Sequence, residues 1–475
     1  MTHPAGSSTP PIDLCTADVA TLAAAYAARA LSPVEVAQAC LDRARAVQPT
    51  LNPCAFIDDE TTLAAARQSE ARWMRQAALG PLDGVPATIK DLLLSAGWPT
   101  LRGSRAIDPD QPWDEDSPPV ARLREAGAVF IAKTTTPEFG HKGVTESPLA
   151  GITRNPWYPE VTPGGSSGGA AVAAAAGIAA LNLGTDGGGS IRIPASFTGI
   201  FGLKPSFGRV PSWPPSPFAR LAHVGPMTRT VTDAALMLNA IARPDWRDWY
   251  AQPYPAQDFA THLNAGLKGL RIGYAPTIND EPVDEDVAAA VAAAVAVFRA
   301  EGAVIEQIDL ALPDARRMFQ ILWTTGAAVM AAGMSEDQRR HFDRSLGAAI
   351  AIGQGFSAID LGTAEFKRAA LARVMAELHQ RYDLILTPSL PVTAFTTGQN
   401  QPGQAGSTEW NDWTPFSYPF NLTGQPAASI PCGFDRDGLP VGLQIVGPVG
   451  ADALVLRAAR GYERVCPIAL PPLDI

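Results

Sequence analysis

Residues 161–195 read VTPGGSSGGAAVAAAAGIAALNLGTDGGGSIRIPA, and the reading of this stretch decides the fold. Two glycine loops, each carrying serine, Pro163–Gly169 and Gly184–Arg192, flank an Ala-rich segment. A flexible Gly/Ser linker lacks apolar flanks of this kind. The stretch is therefore read as loops in unusual backbone conformations inside a core domain, joined by a buried helix that leads into a strand. The apolar run from Gly168 to Leu183 is mostly Ala and Gly, which argues against a membrane span of ~20 strongly apolar residues.

The same texture extends both ways. Short apolar runs at Val85–Ile89, Ala128–Ala132 and Ala180–Gly184 predict buried strands with helical patterns between them. Upstream, Ser32 and Pro33 open a helix whose Val36, Cys40, Ala44 and Val47 share one face. A second helix over about 60–78 stops at Gly80-Pro81. Downstream, strands are expected at Leu270–Tyr274, Ala303–Leu310, Asp383–Thr387, Ala427–Cys432 and Val441–Val446. Helices are expected at Asp284–Ala300, in three segments over about 313–382, and at Ala451–Arg464. Strands alternating with helices over nearly the whole length mean α/β with a mixed sheet. No internal repeat is visible, and the polar stretch over about 398–407 reads as a surface loop.

Length and composition bound the function. The 475 residues are 46% hydrophobic and 18% charged, enough apolar material for a sizeable core. A net charge of −10 leaves no global basic field for a nucleic-acid backbone. The five cysteines, Cys15, Cys40, Cys54, Cys432 and Cys466, are odd in number and form no C-x-x-C pair, so neither a disulfide framework nor a zinc ribbon is expected. A reducing, cytoplasmic setting fits, and Met1–Ile12 lacks the basic and apolar regions of a signal peptide.

Chemistry concentrates in the two loops. Three glycines before Ser190 can turn several N–H groups toward one point, as an oxyanion hole requires. The alternative is a pair of turns with solvated serines, against which each loop directly joins apolar segments. Gly164-Gly-Ser166-Ser-Gly168 also matches the G-x-S-x-G nucleophile elbow, which needs a later histidine. The candidates, His341 and His379, both read as solvated helix-face residues. Without histidine, lysine can take a serine proton if desolvation brings its pKa from ~10.4 toward ~7–8. Lys90 ends an apolar strand pattern and precedes the apolar run Leu92–Leu94; its other reading is a strand-end charge or an ion pair with Asp91.

Lys90, the Gly-Gly-Ser166-Ser167-Gly-Gly loop and Ser190, 24 residues beyond Ser166, together resemble the amidase signature family. Ile191-Arg192, Ile193-Pro-Ala195, Gly202-Leu-Lys-Pro205, Pro419–Pro426 and Gly438–Val446 extend the resemblance, from about residue 12 to 464. It implies a three-layer α/β/α fold with a mixed, largely parallel twisted sheet covered by helices on both faces. A single domain over 16–466 would lie between tails at 1–15 and 467–475, with a catalytic core over about 81–240 and a helical excursion over about 313–382. It further implies a Ser–cis-Ser–Lys triad: Ser190 as nucleophile, Ser166 (after a cis bond from Gly165) as proton relay, and Lys90 as base. The amides of Gly187, Gly188, Gly189 and Ser190 would form the oxyanion hole. Ser167 and Asp186 would orient the loop, and Arg192 would be structural. Where this chain has Gly187 the family usually carries a side chain, so extra space beside the nucleophile is expected.

By the same resemblance, Gly165, Phe139, Arg209, Trp213, Phe218, Trp413 and Phe416 are the candidate pocket residues, with a proline-rich lid over 211–217; ordinary packing of these aromatics is the other reading. The resulting expectation is a stand-alone hydrolase of hydrophobic or aryl amides, extending to carbamates and aryl esters. It would use no metal or organic cofactor, bind no nucleic acid or membrane, and act as a monomer or homodimer on a small molecule. The alternatives are a non-catalytic protein that kept the fold, a histidine-dependent serine hydrolase, and a partner-dependent amidotransferase subunit.

Overall fold

The structure, a computed structural model, describes residues 13–473; the reading of Met1–Ile12 and the last two residues of the expected C-terminal tail lie outside the described residues. In the helix Pro33–Leu51, Ser32 accepts from the Val34 amide and Glu35 reaches back to the Ser32 amide, which closes a capping box. Val36, Cys40, Ala44 and Val47 are all buried on the face their spacing predicts.

Thirteen strands form among the described residues: β1 Cys54–Phe56, β2 Pro86–Lys90, β3 Val129–Thr134, β4 Glu146–Ser147, β5 Gly151–Ile152, β6 Leu181–Asp186, β7 Phe201–Lys204, β8 His223–Thr228, β9 Arg271–Tyr274, β10 Val304–Gln307, β11 Leu384–Pro388, β12 Ala427–Phe434 and β13 Pro440–Val446. Eleven of them make one sheet in the order β1-β3-β2-β6-β8-β7-β12-β13-β11-β9-β10. Helices cover it, and the mixed α/β expectation is met. Within the sheet, antiparallel pairings outnumber parallel ones by six to four, where parallel pairing was expected to dominate. The physical reason is connection length: the short turn between β12 and β13 can join only antiparallel neighbours.

Two apolar clusters bracket the site. One joins the sheet to its helices through residues such as Val36, Ile89, Leu183, Leu203, Ile272 and Leu443. The other lies under the helices Ala315–Ala332, Arg344–Gln354 and Ala358–Arg381 and includes Phe319, Trp323, Trp410 and Phe416. Between them, the parallel strands β2, β3 and β6 end in Lys90, Thr134 and Asp186, respectively. Ligands of open α/β sheets bind at such carboxyl ends. Among the described residues no helix is long and apolar enough to cross a membrane.

Candidate active site

Lys90 is fully buried because β2 is a central strand covered on both faces. Its Nζ lies 2.8 Å from Ser166 Oγ, 2.8 Å from Ser167 Oγ and 2.9 Å from Thr185 Oγ1. Among the described residues no carboxylate is within ion-pair distance of it; Asp91, the partner the ion-pair reading offered, turns away to accept from the Leu101 and Gly103 amides. Burial pushes the Lys90 amine well below its ordinary value, opposed only by the charge of Asp186. A neutral amine has two hydrogens and one lone pair. Ser167 Oγ donates to the Thr185 carbonyl, so it accepts from Lys90 and has no proton left to return. Ser166 Oγ makes no bond other than that to Lys90 among the described residues, which leaves its proton free for the lone pair.

Ser166 follows a cis bond from Gly165 and precedes the buried helix Gly168–Ala175. The Ser167 amide donates to the Ser190 carbonyl at 3.1 Å, which ties the two serine loops together. Ser190 is nearly buried, and both Ser166 and Ser190 line one cavity. No hydrogen bond joins their hydroxyls to each other.

Asp186 organises the second loop. Its carboxylate accepts from the Gly189 amide at 2.7 Å and the Ile191 amide at 3.1 Å. Burial alone would raise its pKa, but the Arg192 guanidinium, with Lys204 and Asn421, holds it well below the usual carboxylate range. Arg192 is fully buried and also donates to Ser417 O, Gln444 Oε1 and Asn421 Oδ1, so it braces the loop against two later segments and leaves no donor for a ligand. One oxyanion-hole expectation is corrected: the Gly189 amide is already committed to Asp186. The amides of Gly187, Gly188 and Ser190 have no acceptor among the described residues. Gly189 has φ +125°, and a Cβ there would meet Ser417 Oγ at 2.5 Å, so both conformation and space demand glycine.

The cavity holds about 500 Å³, and Phe139, Trp213 and Phe218 line it with Leu92, Trp323 and Met330. Four predicted pocket residues lie elsewhere. Arg209 pairs with Asp452 and sits over the Tyr254 ring. Trp413 stacks on Phe197 and donates its Nε1 to Asn400 O, while Phe416 is fully buried in the helical cluster. Gly165 packs against the Val144 backbone. The aromatic segment before Pro419 thus points inward and fills the core. A further correction concerns Gly187, where the expected space is occupied: a Cβ there would lie 2.8 Å from Trp323 Cζ3. His341 is exposed, but His379 is half-buried between the Tyr382 carbonyl and Gln425, because its helix packs there. Neither lines the cavity.

Sequence reasoning missed Thr185, Trp323 and Arg102. Thr185 was legible inside the quoted loop. Trp323 carried no signal, since a tryptophan on an apolar helix face reads as core.

The fold and the site define an α/β enzyme with a desolvated lysine under paired serines. The Amidase family model matches residues 35–456. The A-type subunit of the glutamyl-tRNA(Gln) amidotransferase from Chloroflexus aurantiacus is 36% identical over 93% of this chain and 95% of its own. An acylamidase of Rhodococcus erythropolis is 37% identical over 94% and 95%. The crystal structure of a bacterial aryl acylamidase of the amidase signature family superposes with a TM-score of 0.87 at 30% identity, covering 95% of this chain and 96% of that one. The chain belongs to the amidase family, whose enzymes act on C–N bonds.

Proposed function

We propose that this protein hydrolyses amides bearing apolar or aryl groups through an acyl-enzyme on Ser190. The observation that carries this reading is the hydrogen-bond set of Lys90: a buried amine, pushed toward neutrality, 2.8 Å from the Ser166 hydroxyl, which has no other partner among the described residues and shares a cavity with Ser190. Ser166 passes its proton to Lys90 Nζ and takes the proton of Ser190, whose Oγ attacks the carbonyl carbon. The Ser190 hydroxyl, which has no hydrogen bond among the described residues and lines the cavity, closes this relay by turning toward Ser166. The oxyanion gathers at the free amides of Gly187, Gly188 and Ser190. As the C–N bond breaks, Ser166 delivers a proton to the leaving nitrogen and is resupplied by Lys90. Water then enters by the reverse relay, cleaves the acyl-enzyme and restores Ser190.

The apolar lining of the cavity supports an aryl or hydrophobic substrate. Aryl esters fit the same chemistry and need less proton delivery. Carbamates would form the same oxyanion, and the carbamic acid released would lose carbon dioxide. They enter on reaction chemistry alone, because Trp323 takes the room at Gly187 that would have favoured an alkoxycarbonyl group.

A second reading, that of a partner-dependent amidotransferase component, is favoured by relatives such as the Chloroflexus protein. The purified chain alone, given p-nitroanilides, aryl carbamates and primary amides, tests both. Anilide hydrolysis without a partner is the expected result. No turnover by the chain alone, but turnover once its partner protein is supplied, supports the second reading instead.

A further inference from the structure

The cavity that holds Ser166 and Ser190 also has one cation in its wall, Arg102. Among the described residues its guanidinium makes no hydrogen bond, no ion pair and no stacking contact with an aromatic face. The more deeply buried arginines behave differently. Arg192 and Arg209 bond to carboxylates, Arg229 to the carbonyls of Ala174 and Ala179, and Arg368 to the Leu422 carbonyl and Glu365. Burying a guanidinium without a partner is unfavourable, and guanidinium does not escape by losing its proton. Arg102 is half-buried amid apolar wall residues such as Leu92, Leu93 and Phe139.

The backbone fixes this residue in place. Asp91 is buried, and its two carboxylate oxygens accept from the Leu101 and Gly103 amides on either side of Arg102. The Asp91 carboxylate, whose charge acts on Arg102, is thus spent on the loop rather than on the guanidinium. The Arg102 carbonyl accepts from the Phe139 amide at 2.8 Å. The next residue, Gly140, borders the relay serine: a Cβ built there lies 3.4 Å from Ser166 Oγ. Arg102 itself has φ +56°, a left-handed conformation uncommon for a residue other than glycine. A turn that needed only that conformation would be served better by glycine or asparagine. Strain of this kind gathers at sites that bind or react.

We infer that Arg102 is the anion subsite of this cavity and that the preferred substrates are amides whose apolar or aryl body carries a carboxylate. The planar fork of the guanidinium pairs two N–H donors with two carboxylate oxygens, and the apolar wall strengthens that pairing by excluding water. This deepens the proposed function and rests on it for turnover; the subsite itself is also open to a binding test that needs no turnover.

Two matched pairs test the inference. One places the charge on the acyl side, N-phenylsuccinamate against butyranilide. The other places it on the amine side, 4-acetamidobenzoate against 4-methylacetanilide. The expected result is at least a tenfold preference in kcat/KM for the charged member of one pair, about 1.4 kcal/mol. Arg102→Gln should erase that preference mainly through KM, and Arg102→Lys should restore part of it. In parallel, calorimetry should find 4-phenylbutyrate bound at least tenfold more tightly than 4-phenylbutyramide by the natural chain, with the difference lost in Arg102→Gln. Equal binding of acid and amide, or an equal loss on both members of each pair in Arg102→Gln, overturns the subsite. Failure to hydrolyse any anilide, with Arg102-dependent binding of 4-phenylbutyrate intact, sinks the hydrolytic reading and leaves the subsite standing.

Discussion

Trp323 closes off the space beside Gly187: a Cβ on residue 187 would sit 2.8 Å from Trp323 Cζ3 and 3.3 Å from Cη2. The ring is held there by stacking on Phe218, with centroids 3.8 Å apart, and by its Nε1 donating to His141 Nδ1. The missing side chain in the loop and the tryptophan on the helix are thus one packing solution, a volume exchanged between two elements far apart in sequence.

Gly187→Thr should therefore overpack the site. Such insertions lower stability by about 1–3 kcal/mol, and kcat/KM for anilides should fall at least tenfold. Adding Trp323→Leu should recover much of the stability. Thermal melts of the three proteins check this; an unchanged midpoint in Gly187→Thr would show that the ring is free to move aside.

Activity should rise with pH through an apparent pKa below the ~10.4 of free lysine. In the proposed relay the neutral amine of Lys90 is the active form, and burial lowers its folded value, so activity should be present above that value and lost as pH falls through it. The stability contribution runs in the same direction. Between the folded and unfolded values the unfolded chain binds the extra proton, so stability rises with pH across that window. A flat kcat/KM profile from about pH 6 to about 10 contradicts a titrating Lys90.

Ser190→Ala should abolish turnover of every substrate. Lys90→Ala should reduce anilide hydrolysis far more than hydrolysis of the matched aryl ester, by a ratio of at least tenfold, since the poorer leaving group depends on proton delivery. Steady-state kinetics on one acyl group with the two leaving groups decides it, and equal losses argue against the relay.

Arg192→Met leaves the buried carboxylate of Asp186, which organises the loop amides, without its ion-pair partner. Breaking such a pair from one side is expected to destabilise the fold by about 3–5 kcal/mol. Urea unfolding measures it; a change below about 1 kcal/mol would mean that Asn421 and Lys204 suffice without the guanidinium.

Phe218→Ala and Trp213→Ala should raise KM for aryl amides several-fold, because both rings line the cavity. Arg209→Met should lower the melting temperature with little change in KM, because its guanidinium serves Asp452 and lies away from the cavity. Michaelis constants for the three variants separate residues that line the cavity from those that hold the fold.

The strands that read most clearly in the sequence, such as β2, β3, β6 and β13, are built around short apolar runs and are buried almost throughout. β8 was missed because Gly225 and Pro226 interrupt it, and proline in a central strand argues against the assignment. It lies between β6 and β7 all the same, fully buried. The Pro419–Pro426 and Gly438–Val446 motifs were visible as motifs but not as reasons. Their Asn421 and Gln444 reach Arg192 across more than two hundred residues of chain.

The sequence by itself determined the α/β class and the two glycine loops, and its resemblance to a family singled out Lys90, Ser166 and Ser190. Period, glycine density and residue chemistry are local properties, legible along a chain. Only the tertiary structure decided which aromatics line the cavity, which loop amide is already spent on Asp186, and that Arg102 stands without a partner among the described residues. Those outcomes depend on which side chain first fills a given volume or satisfies a given donor. That competition is settled between elements distant in sequence, by close packing and by the unfavourable free energy of an unmet buried hydrogen bond.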